Sequence, residues 1–413
     1  MGLDALHDVA ELNILEPRFR PDSAEVSAAR SRQWYARTPL GFAVLRHREA
    51  AALLADRRVR WGGVESLAAQ GITSGPLVDW IGSILPSVEG VDHTRLRGLV
   101  GKAFTRAAVD RLRPVMRAVA DELLDPIVDA GECEFMAEFA DRYPARILCE
   151  LLGVPRAQHE NFRRWPSEIG LVFGVSVPDN RERIEAALAG LHHAVDKLIE
   201  QRRAVPGADL LSELIAAEQS GDRLSTDELR VMVSALLFAG QDTTRQQLGL
   251  AMATFLAHPE QWQALAADPS LASQAVEEVM RVAPAVNTIW RMVDEPIDFQ
   301  NLHIPAGTFI NVLIDAAHTD PRVFGDSTFD ITATRPAAQL TFGGGIHYCL
   351  GAVLARAEMA EALPILARRL RSPRPAGTPQ TGPYLGLTGP STLPLRCGAP
   401  PNPRPSVALG APL

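Results

Sequence analysis

The feature that most constrains the fold is one long helical pattern near the middle of the chain. It starts at Ser225, which has Glu228 three residues later, the arrangement of a capping box at the first turn of a helix. No proline interrupts the apolar repeat until Pro259, so the pattern extends over roughly thirty residues, whereas the mean helix of a soluble protein has ~11–12. A helix this long and this apolar is predicted to cross the centre of the protein.

Strand patterns, by contrast, are short and few. Residues typical of strands occur around Phe42, Ile297 and Leu393. After the strand near Ile297, the turn formers Pro305 to Gly307 precede another apolar run, which predicts a β-hairpin with its turn at these residues. The sheets are therefore expected to be small.

Two further segments have the periodicity of amphipathic helices. Apolar residues recur at spacings of three and four over Arg106–Ala130 and over Asp179–Ala204, with charged residues on the other face. No repeat and no linker interrupts the chain, and its last stretch is rich in proline. We predict a mainly α protein with small β-sheets, formed by one domain over residues 1–413, of which about 399–413 are a loosely held tail.

Composition argues against several classes of protein. The 413 residues are 46% hydrophobic and 22% charged, as in a globular protein with a large core. The net charge of −8 argues against nucleic-acid binding, because phosphates are held by clustered Lys and Arg. No apolar run approaches the ~20 residues that span a bilayer, and the N-terminus has no signal-peptide core. The four cysteines show neither CxxC nor disulfide-framework spacing, so we expect a cytoplasmic protein with free thiols and no membrane anchor.

One of these cysteines, Cys349, lies in the sequence FGGGIHYCLG, among glycines and two residues after a histidine. Gly343 to Gly345 permit positive φ and hence a tight turn, and helix formers follow from Leu350 onward. Cys349 is therefore predicted just before a helix N-terminus, where unpaired N–H groups and the helix dipole favour an anionic sulfur. Because Gly351 has no side chain, a large flat group could lie close to the backbone. A thiolate that binds haem iron has these requirements.

A cysteine in such a loop need not bind haem. A free cysteine is most often a small buried hydrophobe. His347 and Cys349 could form half of a zinc site, but no second pair at zinc spacing is present. The glycines do not form GxGxxG, because Tyr348 stands three positions after Gly345. A catalytic cysteine would need a partner histidine, which the sequence alone does not exclude. Co-occurring motifs favour haem.

With these motifs the chain resembles a soluble bacterial cytochrome P-450 over nearly its whole length. The family's haem-loop pattern, Phe-x-x-Gly-x-His-x-Cys-x-Gly, matches at Phe342, Gly345, His347, Cys349 and Gly351. The resemblance implies that Cys349 is the axial ligand of the iron of haem b and that the loop contacts the haem. It also implies the cytochrome P-450 fold, with the long central helix over the haem.

A second motif of this family is Glu-x-x-Arg, present here as Glu278 and Arg281. Three residues apart on a helix, the two side chains share one face and can form an ion pair. Alone, such a pair is usually a solvated surface contact worth under ~1 kcal/mol. The resemblance implies a pair buried beneath the haem loop and bonded to the segment Asp320–Asp330, with a structural role.

The long helix contains the third motif, AGQDTT, which starts at Ala239. By resemblance, Ala239 and Gly240 leave room above the iron for dioxygen, and Asp242 with Thr243 delivers protons to the bound oxygen. A glycine inside a helix costs about 1 kcal/mol against alanine, so its presence suggests a function. Without the haem loop, a helix-bending threonine pair beside a surface aspartate would be the better interpretation.

The fourth group consists of basic residues that resemble the family's ligands of the haem propionates. His93 and Arg97 are four apart on one helix face, and Arg291 and His347 match by position. Two stretches depart from the family pattern: the segment before His93, which reads PSVEGVD, and AAHTDP, which stands where Ala-Asn-Arg-Asp is common. Neither departure concerns residues implied in the iron chemistry.

The resemblance implies a haem–thiolate monooxygenase that activates dioxygen and oxidises a mostly apolar small organic molecule. The chain has no flavin or nicotinamide domain, so two electrons would come from NAD(P)H through a separate ferredoxin or flavodoxin and its reductase. We expect Arg and Lys around the haem loop to meet that acidic partner. A monomer is expected.

Three alternatives remain at this point. A member of the family that couples bonds would use the same residues. Peroxide-driven members acting on fatty acids lack the acid–alcohol pair that Asp242 and Thr243 supply, and a non-catalytic haem sensor or carrier would not need it. By family position, the substrate pocket is expected to be lined by Trp61 to Leu85, Trp165 to Val177, Leu236, Phe238, Ala239, Ala285 to Ile289, Leu387 and Thr388. These residues are mostly apolar, which favours a hydrophobic substrate.

Overall fold

The computed structural model describes residues 9–16, 18–174, 176–220, 224–325, 327–381 and 385–398, so the predicted tail from 399 lies outside the described residues. The α-helices, numbered along the chain, are α1 Ala24–Arg32, α2 His47–Ala55, α3 Gly63–Ala69, α4 Pro76–Ser83, α5 Gly90–Gly101, α6 Arg106–Asp110, α7 Arg113–Ala130, α8 Tyr143–Leu152, α9 His159–Ile169, α10 Val177–Ala204, α11 Leu210–Gln219, α12 Thr226–Ala257, α13 Pro259–Ala267, α14 Ala272–Val282, α15 Ile314–His318, α16 Pro321–Phe324 and α17 Ala352–Arg369. The strands are β1 Tyr35–Thr38, β2 Gly41–Val44, β3 Val59–Arg60, β4 Glu132–Glu134, β5 Thr288–Val293, β6 Ile297–Phe299, β7 Leu302–Ile304, β8 Phe309–Leu313, β9 Arg374–Pro375, β10 Gln380–Thr381, β11 Pro390–Thr392 and β12 Pro394–Arg396. The prediction of a mainly helical protein with small sheets is confirmed.

The long central helix is α12, whose 32 residues begin at the predicted place. Ser225 accepts a hydrogen bond from the backbone of Glu228, and the Glu228 side chain accepts one from the backbone of Ser225, so both halves of the capping box are present. Helices α8, α9, α10, α14 and α17 pack around α12, which accounts for buried residues on most of its sides. Among the described helices, none combines the length and the apolarity needed to cross a membrane.

The two other predicted helices differ from expectation in one respect. The segment Arg106–Ala130 is broken into α6 and α7, because Pro114 lies in the first turn of α7. Proline has no backbone N–H and disfavours the helical conformation of the residue before it, so it fits best in a first turn, where that N–H has no partner within the helix. The prediction of a single helix over Arg106–Ala130 is therefore wrong. The other predicted helix is α10, which begins slightly earlier, at Val177.

The predicted hairpin is also displaced. Its two strands are β6 and β7, and they are joined at Gln300 and Asn301, where Gln300 has a φ of 51°. The turn at Pro305 to Gly307 instead leads from β7 to β8, and β8 pairs with β2 and β5. Every residue of β8 is buried, so this strand takes a central place in the sheet rather than the outer place of a hairpin arm. The prediction of a hairpin turn at Pro305–Gly307 is wrong.

The main sheet has the strand order β1-β2-β8-β5-β3. Within this sheet the pair β2–β8 is parallel, and the other neighbours are antiparallel. One face of this sheet packs on α2, with a core of its own beside the larger helical core. Because β5 crosses the sheet next to the cysteine loop, it brings Thr288 to Arg291 towards the candidate site.

Candidate active site

Cys349 lies at the end of a tight loop whose glycines have the predicted backbone. Gly343 and Gly345 have φ values of 70° and 66°, a region that favours glycine. The loop closes through a hydrogen bond of 2.9 Å from the Cys349 amide to the carbonyl of Phe342. Helix α17 starts at Ala352, slightly later than predicted, and Cys349 therefore precedes a helix N-terminus, as predicted from the sequence.

The surroundings of the sulfur contain both stabilising and destabilising influences on a thiolate. Cys349 is enclosed by many protein atoms although part of its surface faces open space. This desolvation raises the pKa of its thiol, whereas hydrogen bonds from the backbone of Gly351 and Ala352 and the charges of Arg97 and Arg356 lower it; the net direction is upward. A bound metal cation deprotonates a coordinating thiol outright. A Cβ added to Gly351 would meet only the Cys349 Sγ, at 4.0 Å, so the glycine keeps the side of the sulfur clear of protein atoms.

Phe342, at the start of the loop, is held by a residue that was not predicted from the sequence. The guanidinium of Arg356 lies 4.3 Å from the centre of the Phe342 ring, within the range of a cation–π contact. Arg356 also pairs with Glu277 of α14. The only sequence signal was an arginine seven positions after the cysteine, which by itself has no special meaning.

The structure brings the four predicted basic residues together beside the loop. The rings of His93 and His347 are 5.1 Å apart between centroids. Arg97 lies one helical turn after His93, and its charge, like that of Arg291, acts on His347. The carboxylate in direct contact with the cluster is that of Glu89, whose Oε1 is 2.7 Å from His347 Nε2. Within the part of the chain that the structure describes, these four basic groups thus face the carboxylate of Glu89.

Two of these basic groups are incompletely paired among the described residues, although Arg291 Nη1 donates to the uncharged carbonyl of Trp290 at 3.0 Å. The Nε2 atom of His93 is buried and has no hydrogen-bond partner within the described residues. Arg291 is only 5% exposed, and no carboxylate of the described chain lies within ion-pair distance of it. Burial lowers the pKa of Arg291 to about 10, with the charge of Glu89 opposing that change. An uncompensated buried cation is costly, so the cluster fits a ligand that carries carboxylates. A flat ligand with two propionates, as in haem b, satisfies the cluster and the space beside Cys349 together.

On α12, Thr243 borders the cavity described below. Its hydroxyl donates to the carbonyl of Ala239 at 2.9 Å, one turn earlier in the helix. Ala239 itself is exposed although it lies in the middle of a largely buried helix, so open space adjoins it. A Cβ added to Gly240 would lie 3.0 Å from the Leu148 side chain, so close packing of α8 is a second reason for this glycine.

Asp242 lies on a different side of α12 from Thr243. Its carboxylate pairs with Arg245 at 2.7 Å, and Arg245 also approaches Asp141 at 3.3 Å. Burial raises the pKa of Asp242, and the neighbouring Arg245 lowers it by less. Successive helical residues point about 100° apart, so the predicted acid and alcohol are adjacent in sequence but do not face the same space. Asp242 is absent from the residues that line the cavity described below.

A second buried carboxyl was not predicted from the sequence. Glu358 of α17 is 1% exposed, and burial raises its pKa well above the ordinary value. The hydroxyl of Thr244, on α12, lowers that pKa but offsets only part of the effect. The sequence signal was a glutamate among Ala, Leu and Met in a helix whose buried face packs on α12.

The Glu278–Arg281 pair is buried as expected, and a third residue joins it. The two side chains are 3% and 2% exposed and make two hydrogen bonds, of 2.8 and 2.7 Å. Arg281 also donates to the carbonyls of Ser327 and Thr328, which belong to the segment named in the prediction. Arg335, which was not predicted from the sequence, bonds the same carboxylate at 2.5 Å. The pair therefore ties α14 to the chain that leads into the cysteine loop.

A cavity of about 300 Å³ lies beside Thr243. It is lined by Leu15, Leu40, Trp61, Gly62, Gly63, Ser66, Ala69, Gln70, Ile81, Val172, Phe173, Gly174, Thr243, Val286, Thr288, Ile289, Trp290, Gly386 and Leu387. Three expected segments and Leu387 contribute, but Leu236, Phe238, Ala239 and Thr388 do not. Phe238 instead lies behind the wall, stacked on Phe173 at 5.7 Å between ring centroids. The N-terminal Leu15 and the turn residue Leu40 were not expected, because they are distant in sequence from the other walls.

Comparisons with known proteins agree with this architecture. The model of the family described as Cytochrome P450 matches residues 171–381. Luteothin monooxygenase of Streptomyces thioluteus is 39% identical over 95% of this chain and 97% of its own length. The 6-deoxyerythronolide B hydroxylase of Saccharopolyspora erythraea is 38% identical over 67% of this chain and 68% of its own. The crystal structure of CalO2 superposes with a TM-score of 0.83 at 31% identity, covering 92% of this chain and 99% of that one.

The similarity therefore covers both the helical framework and the segments that carry the candidate site. The fold prediction is confirmed by the TM-score, and the predicted enzyme class by the named monooxygenase and hydroxylase. Bacterial secondary metabolism is the setting of these relatives, and haem–thiolate chemistry with dioxygen is what the family implies. This chain belongs to the cytochrome P450 family and is a P450 monooxygenase.

Proposed function

We propose that Cys349 is the axial ligand of haem iron in this P450 and that His93, Arg97, Arg291 and His347 hold the haem propionates. The observation that carries this proposal is the convergence of four basic groups on one acidic group beside the cysteine loop. Arg291 is the most telling member, because it is buried without an ion-pair partner in the described chain. Phe342 and Gly351 would border the macrocycle on the side of the sulfur, and Ala239 and Gly240 on the side of the long helix.

Haem bound through a thiolate supplies an electron-rich iron that favours cleavage of the O–O bond of dioxygen. The chain's own contribution is to place proton donors beside that chemistry. Thr243 lines the cavity and can turn its hydroxyl from the Ala239 carbonyl towards a water or a ligand. Asp242 can supply protons once its carboxylate leaves Arg245, and its raised pKa favours the protonated form needed for that task.

The cavity supports a neutral, mostly apolar substrate that contains a ring. Among the described residues no charged side chain lines it, and three of its walls are aromatic: Trp61, Phe173 and Trp290. Apolar pockets with few polar groups bind hydrophobic small molecules, and the polar groups fix their orientation. The relatives named for luteothin and for 6-deoxyerythronolide B support a secondary metabolite of comparable character as the substrate.

Electrons are proposed to come from NAD(P)H through a ferredoxin or flavodoxin and its reductase. Arg106 and Arg111 are exposed at helix α6, which packs on α17 directly after the cysteine loop. Ile346 and Tyr348 of the loop expose 44% and 40% of their surface. An apolar centre with cations beside it is suited to a small acidic partner.

We propose further that the protein works as a monomer of one domain in the cytoplasm. All four cysteines are free thiols, three of them buried, as expected in a reducing compartment. Size-exclusion chromatography with light scattering tests the oligomeric state. A stable dimer at micromolar concentration would contradict this part of the proposal.

The test of the haem ligand is the absorption of the reduced carbon monoxide complex. Wild-type protein should show the red-shifted Soret band of thiolate ligation, and Cys349→His should lose it. Cys397→Ser is the matched control, because Cys397 is a buried cysteine that directly follows β12, and it should keep the band. A wild-type spectrum of the histidine-ligated kind would contradict the assignment.

The substrate class is tested with ligands that differ in charge. Neutral aromatic compounds should shift the Soret band from the low-spin to the high-spin position, whereas matched carboxylates should not, because burying a charge without a partner is unfavourable. Identification of the product with a surrogate ferredoxin system then separates hydroxylation from bond coupling. Tighter binding of the carboxylates would refute the neutral-substrate proposal.

A further inference from the structure

Two buried histidines hold the chain that leads into the cysteine loop, residues 338–341, which we call the approach segment. His47 of α2 has its Nε2 atom 2.8 Å from the carbonyl oxygen of Ala338. His318 of α15 has its Nε2 atom 2.6 Å from the amide nitrogen of Leu340. Further bonds from the approach segment go to the last turns of α14. The approach segment is thus fixed between α2, α14 and α15.

The two histidine bonds have opposite polarity. The Nδ1 atom of His318 lies 3.0 Å from the carbonyl oxygen of Arg281, so Nδ1 carries the proton. Its Nε2 atom must then be unprotonated, because it accepts a hydrogen bond from the Leu340 amide. His47 Nε2, in contrast, faces the carbonyl of Ala338 and must donate. A second proton on His318 would place its Nε2–H against the N–H of Leu340, so that two donors would face each other. A second proton on His47 would leave its hydrogen bond to Ala338 intact.

The amide held by His318 is connected to the cysteine by backbone hydrogen bonds. The carbonyl of Leu340 accepts from the amide of Gly343 at 2.9 Å. Phe342, which lies between these two residues, has a carbonyl that accepts from the Cys349 amide at 2.9 Å. Because these bonds lie within one tight loop, a displacement of Leu340 also shifts the backbone position of Cys349.

We propose that His318 is a positioning residue for Cys349: its neutral imidazole holds the approach segment, and protonation of Nε2 releases it and opens the cysteine loop. The consequence for the enzyme rests on the proposed role of Cys349 as the haem ligand. The hydrogen-bond geometry itself does not depend on that role, because it concerns only His318 and the loop.

The surroundings of His318 favour the neutral form. Burial lowers the pKa of His318 to about 3, the hydrogen bond to the Arg281 carbonyl raises it, and the charges of His47 and Arg281 lower it. The titratable or charged groups near it, on α15 and on the elements that pack against α15, are Arg30, His47, Glu278, Arg281, Asp315 and Asp320. Since the folded pKa lies below the ordinary value of 6.5, the closed loop is fully stable above pH 6.5 and loses stability as pH falls towards 3.

The experiment measures opening of the loop in the holoenzyme as a function of pH. Hydrogen exchange of the peptide spanning 338–349, corrected for intrinsic exchange rates, gives the opening constant between pH 7.5 and 4.5. In parallel, the carbon monoxide spectrum gives the fraction of protein that retains the thiolate band. One linked proton raises the opening constant up to about tenfold for each pH unit below 6.5 in the wild type.

His318→Gln supplies an amide that can accept from Leu340 but does not titrate, so its pH dependence should be about tenfold per unit shallower than that of the wild type. His318→Asn, a shorter amide that also does not titrate, is the second variant if the glutamine variant folds poorly. His47→Gln is the matched control and should keep the wild-type pH dependence, because the bond of His47 survives protonation.

Equal pH dependence in wild type and in the His318 variants would overturn the proposal, as would loss of that dependence in His47→Gln. A wild-type spectrum without the thiolate band at pH 7.5 is a different failure. It would contradict Cys349 as the ligand and leave the exchange result for the loop unaffected, so the two proposals are tested separately.

Discussion

Replacing Arg281 by alanine is the most informative perturbation of the framework beneath the cysteine loop. Arg281 is 2% exposed and makes two hydrogen bonds to Glu278, which is 3% exposed. Removing one partner of a buried ion pair typically costs about 3–5 kcal/mol, because the remaining charge stays buried. Here Arg335 also bonds the Glu278 carboxylate, at 2.5 Å, so the charge keeps one partner. We therefore expect a loss near the lower end, about 3 kcal/mol, in the free energy of unfolding.

The structure also predicts which related variants lose less unfolding free energy than Arg281→Ala. Arg335 has a side chain that is 18% exposed, so water can replace part of its bonding, and Arg335→Ala should cost only about 1–2 kcal/mol. Combining Arg281→Ala with Glu278→Gln removes the buried charge and should be less damaging than the sum of the single changes. Burial alone would raise the pKa of Glu278, but bonds from Arg281 and Arg335 lower it, so the pair's contribution is present above pH 4.5 and is lost as pH falls further.

Urea unfolding followed by tryptophan fluorescence measures these free energies, and Soret absorbance of the purified protein measures haem retention. Arg281→Ala should purify with little haem, because the tie between α14 and the chain entering the cysteine loop is broken. Full haem content together with a decrease of less than about 1 kcal/mol in the free energy of unfolding would refute the reasoning, because breaking a buried ion pair costs more than that. So would an equal loss in Arg335→Ala, which would show that burial does not decide the magnitude.

Three further substitutions address the site itself. Thr243→Ala should leave haem binding and the ligand-induced spin shift unchanged but should lower the amount of product formed per NAD(P)H oxidised, with hydrogen peroxide as the by-product. If Thr243→Ala keeps the wild-type yield of product per NAD(P)H, another group activates the oxygen. Asp242→Asn should instead slow turnover by about 10²-fold or more, because the supply of protons is reduced. Glu358→Gln should gain stability relative to wild type as pH rises, by up to about 1.4 kcal/mol per pH unit above pH 4.5, because the folded pKa of Glu358 is raised and the wild type must keep a proton that its unfolded chain releases. Unfolding free energies of both proteins at pH 5 and pH 8 measure this, and a constant difference would show that Glu358 is not held neutral.

Features that depend on a few neighbouring residues could be predicted from the sequence. The capping box at Ser225 forms because its partners are three residues apart, and the glycines at 343 and 345 adopt positive φ because glycine does so at low cost. The position of Cys349 before a helix follows from the same local preferences. These features depend on interactions between residues that lie only a few positions apart in the chain.

Motifs of the family also identified residues that are distant in sequence but close in space. His93, Arg97, Arg291 and His347 were assigned by position alone, and the structure places them around one carboxylate, that of Glu89. Their roles towards haem remain predictions that the spectra described above can test. Periodicity and spacing could not have grouped them, because separate parts of the chain supply the cluster.

What only the tertiary structure decided are the contacts whose partners come from unrelated segments. Arg335 joins the Glu278–Arg281 pair, and Asp242 pairs with Arg245 instead of facing the cavity. Leu15 lines the cavity although it is distant in sequence from the other lining residues. The displaced hairpin has the same cause, because β8 lies buried between β2 and β5 in the sheet instead of pairing with β7. Local propensity cannot foresee such outcomes: burial and ion pairing are set by which surfaces meet, and that depends on packing of the whole chain.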